Sequence, residues 1–336
     1  MPETLKIAIP MAGLGTRMRP HTWSKPKPLI ALAGKTVLDY VLEQFDSLPE
    51  STRVEFIFIV GPNQIQQVQE HMHDCYPETA VHYVVQENMR GQSDALNLAR
   101  EYLSGPLLMT FSDTLIETDL STLYQTAHDG IAWVKPVPDP RRFGVAGLDE
   151  QGWIKRLVEK PTEMSNNLAV VGFYYFRKSE DLLAAIEEQM QRNVKVKGEF
   201  FLTDAINIMI EHGARFSTNQ VETWLDAGIP EALLETNRYL LEHGHDNSAE
   251  AARPGVAIIP PVFIHPSAVI ENSVIGPYVS LGEDCVLKEV VVHNSIFDEG
   301  AQVTHMVIER SLLGRNVQVQ GSSMRLNLGD QSWAMS

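Results

Sequence analysis

The sequence predicts an α/β chain in two parts. A mixed, mainly parallel sheet covered by helices is expected over residues 1–243, and a short β-helix over 255–322. Three observations carry this. Strand and helix patterns alternate up to about residue 240. Residues 244–254, Gly-His-Asp-Asn-Ser-Ala-Glu-Ala-Ala-Arg-Pro, have the composition of a linker. After them, aliphatic residues recur every six positions.

Leu5 to Ile9 is a short apolar run ended by Pro10, a first strand. Val37, Leu38, Val41, Leu42, Phe45 and Leu48 fall at helical spacing. Residues 54–60 read as a second strand, closed by Gly61-Pro62. A polar helix, a strand near 81–85, a helix near 95–103 and a strand at 107–111 follow. Between about 131 and 176 strands dominate, which predicts an antiparallel excursion on one side. Helices return near 181–190, 202–212 and 231–243.

Past the linker, Val269, Ile275, Leu281 and Leu287 keep a six-residue period, with Gly276 and Gly282 one step after an apolar member. Val307, Leu313 and Val319 repeat it, with Gly314 again one step later. Such a period predicts coils that bury an aliphatic anchor on each neighbour; a sandwich of short strands is the alternative. Residues 288–306 fit the period poorly, and 323–336 show none and read as a tail. An open coil end is an edge that needs capping or pairing, so a homo-oligomer through this domain is expected.

Composition narrows the function. The formal charge is −16, from 27 basic and 43 acidic residues. That argues against a nucleic-acid partner and against an anionic membrane surface. The two cysteines, Cys75 and Cys285, have no metal-ligand spacing, which favours a reducing compartment. No signal peptide or apolar span is recognisable, so a cytoplasmic location is expected.

The chemistry is concentrated after the first strand, in Ala12-Gly13-Leu14-Gly15-Thr16-Arg17-Met18-Arg19-Pro20, then Thr22 and Ser24-Lys25-Pro26-Lys27-Pro28-Leu29. Open α/β sheets bind ligands beyond the carboxyl ends of their strands. Glycines let backbone N–H groups approach phosphate oxygens, Arg17 offers a fork of donors and Lys27 a mobile charge. From Thr4 to Leu38 there is no acidic residue but there are Lys6, Arg17, Arg19, Lys25, Lys27 and Lys35. A basic window in so acidic a chain suits a small polyanion. A dinucleotide fingerprint would need glycine where Met18 stands, and no Gly-Lys-Ser/Thr follows for a Walker loop. Pro20, Pro26 and Pro28 also oppose a continuous helix here.

These residues resemble the G-x-G-T-R-x-x-P…P-K-P signature of the sugar-1-phosphate nucleotidyltransferases, and the likeness runs in order over about 5–240. Gln86 and Gly91-Gln92-Ser93-Asp94-Ala95-Leu96 are similar to the family's base-reading segment. Ser112-Asp113 stands where the family has a Gly-Asp pair with a metal ligand. Phe143-Gly144-Val145 and Val158-Glu159-Lys160-Pro161 resemble its sugar-phosphate segments, and Gly198 to Asp204 a sugar-hydroxyl segment. Trp224 to Glu231 looks like the stretch with the second metal carboxylate. The β-helix tail resembles that of long-form glucose-1-phosphate thymidylyltransferases.

The resemblance implies a Rossmann-like nucleotidyltransferase domain followed by a left-handed β-helix of hexapeptide repeats. It implies transfer from a nucleoside triphosphate, dTTP or UTP, to a sugar 1-phosphate, glucose 1-phosphate first, with Mg²⁺ as cofactor. Arg17, Lys27 and Lys160 would be catalytic. Ala12, Gly13, Gly15, Thr16, Gln86 and Gly91 would bind the nucleotide, and Gly144, Glu159, Glu199 and Gly172 the sugar, with Asn167 near them. Asp113 and Asp226 would hold the metal. His265, His293 and His305 read as surface or coil-corner residues. A non-catalytic regulatory subunit of the same fold is the rival; such chains lose the charged residues that are present here. The sequence departs from the family at Pro10-Met11, Ala12, Ser112 and Gln92-Ser93-Asp94, which leaves the phosphate residues in place and the base preference open.

Overall fold

The structure is a computed structural model and describes residues 4–125, 127–196 and 198–322. The tail expected over 323–336 lies outside the described residues. By mutual contact the chain divides into two units, residues 4–30 with 36–232, and Ala31–Lys35 with the residues from Leu233 onward.

The elements run β1 (Leu5–Pro10), β2 (Ala31–Leu32), β3 (Lys35–Thr36), α1 (Val37–Glu43), β4 (Val54–Val60), α2 (Ile65–Cys75) and β5 (Val81–Val85). Then come α3 (Gln92–Leu98), β6 (Leu107–Thr110), β7 (Thr114–Ile116), β8 (Gly130–Pro136), β9 (Gly144–Leu148), β10 (Ile154–Glu159) and β11 (Leu168–Phe176). They are followed by α4 (Ser179–Gln191), α5 (Leu202–Glu211), β12 (Phe216–Gln220), β13 (Trp224–Asp226) and α6 (Pro230–Glu242).

In the first unit the strand order is β10-β9-β11-β6-β1-β4-β5, with β8 on β11 and β12 on β8. β1 lies between β4 and β6 and is parallel to both. Its Leu5, Ile7, Ala8 and Ile9 are fully buried, as a strand covered on both faces requires. From β11 outward the pairings to β6, β8 and β9, and of β10 to β9, are antiparallel, which is the excursion the strand-rich stretch predicts. β12 then returns parallel to β8. The helix expected near 95–103 starts earlier, at Gln92, because Gly91 (φ 109°) turns the chain into it, and it gives way to a 3₁₀ turn at Arg100–Tyr102. Apart from the main sheet, β7 and β13 form an antiparallel ribbon that pairs Thr114 with Asp226.

The second unit is a stack of parallel strands. Val262 pairs with Val279 and that residue with Ser295; Val269 pairs with Val286, and that with Gln302. Each coil therefore takes 17 or 16 residues. The six-residue period fits Ile275, Leu281 and Leu287, all fully buried. It fails at Val269 and Val307, which are 48% and 74% exposed. Three steps of six overrun a coil this short, so the inward position shifts by one at that face. Ile270 and Ile308 fill it instead. The poorly periodic stretch 288–306 is ordinary coil, with αL corners at Glu289, Asn294 and His305.

α6 from Leu233 onward belongs to this unit. Its Asn237 is fully buried. The Asn237 Oδ1 accepts from Ser280 Oγ at 2.7 Å and from the Ala33 N–H at 3.1 Å. Replacing it by alanine removes the buried acceptor that Ser280 and Ala33 share, at about 1–3 kcal/mol. Asn237→Ala is expected to lower the midpoint of thermal unfolding by about 5 °C or more; a melt that superposes on the wild type contradicts this role.

Candidate active site

After β1 the chain does not enter a helix. Gly15 turns it in the αL region (φ 57°), and 3₁₀ turns follow at Thr16–Met18 and Lys27–Leu29. A side chain at Gly15 would have its Cβ 2.9 Å from Thr22 Cγ2, and the Thr22 hydroxyl donates to the Gly15 carbonyl at 2.8 Å. Gly13 faces open space. Gln64 fastens the loop to the end of β4. Its Nε2 donates to the Gly13 carbonyl at 3.1 Å, and its Oε1 accepts from the Gly61 N–H at 2.9 Å.

The loop borders a cleft of about 450 Å³. Gly13, Gly15, Thr16, Arg17 and Lys27 line it from the loop, and Phe111, Ser112 and Asp113 from the end of β6. Glu199 and Gly228 complete the wall. The Lys27 ammonium is ion-paired with Asp113. The β7–β13 ribbon brings Asp226 beside them, and the Ala227 N–H donates to the Asp113 carbonyl at 3.0 Å. Gly228 sits at the convergence. Its N–H donates to Asp226 Oδ1 at 2.6 Å. A Cβ there would lie 2.6 Å from that oxygen, 3.2 Å from Lys27 Nζ and 3.3 Å from Asp113 Oδ2. Burial pushes the Asp226 carboxyl above the usual range and the Asp113 charge adds to this. The Gly228 N–H, Lys27 and Arg17 pull the other way.

Two carboxylates so close suit a hard dication that takes its other oxygens from phosphate or water. Among the described residues no group of three or more His, Cys, Asp or Glu converges, so a cage made of protein ligands alone is not present there. Two carboxylates at a cleft fit Mg²⁺, whose charge would offset the burial and the Asp113 repulsion that raise Asp226.

The other candidates form two further groups. Gly144, Glu159 and Lys160 are together: a Cβ at Gly144 would be 3.1 Å from Glu159 Oε2, and Lys160 Nζ lies 3.8 Å from Glu159 Oε1. Burial pushes the Glu159 carboxyl up; Lys160 opposes the shift and Asp204 adds to it. Lys160, at φ 48°, also lies over the Phe201 ring, 4.8 Å from its centroid. Gln86 and Gly91 make the other group. Gln86 is buried, and its Nε2 donates to Asp94 Oδ2 at 3.0 Å and to the Gly91 carbonyl at 3.3 Å. Gly91 is pressed on the backbone of Phe200, where a Cβ would come within 2.4 Å of the carbonyl oxygen. The segment 199–201 thus touches all three groups: Glu199 in the cleft, Phe200 under Gly91 and Phe201 under Lys160.

Two placements differ from the simple reading. Ala12 is buried and does not line the cleft. The room over Gly172 (φ 85°) is filled by the Phe111 ring, which a Cβ would approach to 2.4 Å. Gln64 and Phe111 carry no signal in the sequence; Phe201 and Gly228 fall within the family-like segments 198–204 and 224–231 without an individual role there.

The family model described as "Nucleotidyl transferase" matches residues 8–243. The "Low-salt glycan biosynthesis nucleotidyltransferase Agl11" of Haloferax volcanii is 31% identical, covering 94% of this chain and 94% of its own. A "Glucose-1-phosphate thymidylyltransferase" of Streptomyces antibioticus is also 31% identical, covering 98% of each chain. A solved structure of UDP-glucose pyrophosphorylase complexed with UDP-glucose superposes with a TM-score of 0.61. It is 22% identical and the match covers 71% of this chain and 99% of that one, a likeness of fold.

Proposed function

The chain belongs to the sugar-1-phosphate nucleotidyltransferase family, and we propose that it transfers a nucleotidyl group from dTTP or UTP to a sugar 1-phosphate, glucose 1-phosphate first, releasing pyrophosphate. The convergence of Lys27, Asp113 and Asp226 on Gly228, beside Arg17 and the glycine loop, carries this reading. The near full-length match to thymidylyltransferases, β-helix included, favours dTTP.

The sugar phosphate is an anion at neutral pH and needs no general base. One of its oxygens attacks the α-phosphorus, and the bond to the bridging oxygen breaks on the opposite side, so pyrophosphate leaves with the electron pair. Two anions must meet, so catalysis is alignment and charge neutralisation. Arg17 grips the β- and γ-phosphates and steadies the leaving pyrophosphate. Lys27 meets the α-phosphate charge, and Gly13, Gly15 and Thr16 offer backbone donors, with Ala12 supporting the loop from beneath. Gln86 holds Gly91, whose segment meets the base. Lys160 fixes the sugar phosphate, held in place by Glu159 and the Phe201 ring. Gly144, Glu159 and Glu199 face the sugar hydroxyls, and Gly172 sets the Phe111 platform. Asp113 and Asp226 would hold Mg²⁺, which supplies Lewis-acid charge neutralisation when bound. We place the enzyme in the cytoplasm and self-associated through its second unit.

Pyrophosphate release with a panel of nucleoside triphosphates and sugar 1-phosphates tests this. Release is expected only with both substrates present, fastest with dTTP or UTP, and lost on adding EDTA. No release with any pair contradicts the proposal and favours a regulatory subunit.

A further inference from the structure

One outer face of the β-helix carries a column of valines. Val274 pairs with Val291, and Val291 with Val307. Val291 and Val307 are 43% and 74% exposed, while the adjacent Val290, Val292 and Ile308 point into the core. Two adjacent exposed valines beside the half-buried Val274 make an apolar strip on this parallel sheet.

The flanks of this column say what the partner is. On one side Glu289 and His305 sit at the αL corners of successive coils, with Glu289 Oε2 2.9 Å from His305 Nδ1. On the other side His293 and Glu309, two residues beyond the valines on the same strands, pair at 3.2 Å. The order is inverted between the flanks. The earlier coil carries the acid on one side and the histidine on the other. A half-turn about the normal to this face, midway between Val291 and Val307, therefore carries Glu289 onto Glu309, His293 onto His305 and one valine onto the other.

A face with this pattern is complementary to itself. Laid against a second copy across a two-fold axis in the plane of the sheet, parallel or perpendicular to the strands, it puts valine on valine and each glutamate opposite a histidine, with no acid facing an acid. Isologous contacts need such a surface, and a carboxylate that accepts from an imidazole N–H fixes their register. We propose that this face joins two copies of the chain about a two-fold axis. This specifies the self-association proposed above and is independent of the catalytic reading, since its test reads mass and not turnover.

The test is sedimentation velocity of the full chain over about 1 to 100 µM. A concentration-dependent dimer is expected, and Val307→Asp is expected to weaken it about tenfold or more with unchanged melting and unchanged pyrophosphate release. Two charge variants sharpen this. Glu289→Arg with Glu309→Arg, and His293→Glu with His305→Glu, are each expected to stay monomeric alone. Mixed in equal amounts, they are expected to form a heterodimer, because each arginine then faces a glutamate and no acid faces an acid. A wild type that is monomeric throughout overturns the proposal, leaving the column to a different partner. So does a trimer, a dimer indifferent to Val307→Asp, or a mixture that fails to associate.

Discussion

Asp113→Asn is expected to lower the saturated turnover about 10³-fold, roughly 4 kcal/mol of transition-state stabilisation, and Asp226→Asn to do the same. Each change keeps the side-chain shape and removes one of the two charges that face each other beside Gly228. The loss should not come from unfolding. Asp226 is held above its ordinary protonation range by burial and by Asp113, so the neutral amide removes an unfavourable charge. Its melting midpoint is expected to equal or exceed that of the wild type, as is common where function and stability oppose one another. Turnover and melting measured side by side check this. A variant keeping a tenth of the activity, or one inactive only because it has melted, contradicts the assigned role.

Gly228→Ala separates geometry from charge. Every charged group stays, but the new methyl carbon would stand 2.6 Å from Asp226 Oδ1, where that carboxylate now accepts the Gly228 N–H. The flexible carboxylate gives way before the backbone does, so the fold survives and the cluster is misplaced. A displacement of this size at a reacting centre costs on the order of 10²-fold in rate. The expected outcome is a loss of about that size in kcat with a melting midpoint within a few degrees of the wild type. Full activity in Gly228→Ala would remove this glycine from the site.

These two predictions mark what the sequence reveals and where it stops. The phosphate loop is local. Gly13, Gly15, Arg17 and Lys27 are close in sequence and stay close in the cleft, so residue type and spacing are enough to single them out. The alternating elements of the first unit are legible because each has its own hydrophobic period. The meeting of Asp113 with Asp226 is not local, since it depends on the register of the β7–β13 ribbon. Gly172 reads in sequence as a sugar-side glycine, and only the packed chain shows that the Phe111 ring fills the space over it. In the β-helix the six-residue period is real at Ile275, Leu281 and Leu287. Coils of 16 or 17 residues turn Val269 and Val307 outward, and no count along one strand of sequence anticipates that slip.

The most direct test of the central claim is phosphorus-31 NMR of the purified protein with dTTP, glucose 1-phosphate and Mg²⁺, repeated with UTP. If the cleft joins the two substrates, the resonances of triphosphate and sugar phosphate fall together while those of a nucleoside diphosphate sugar and pyrophosphate rise in equal amounts, and Asp113→Asn leaves the spectrum unchanged. Orthophosphate in place of pyrophosphate, or product formed equally well by Asp113→Asn, would contradict it.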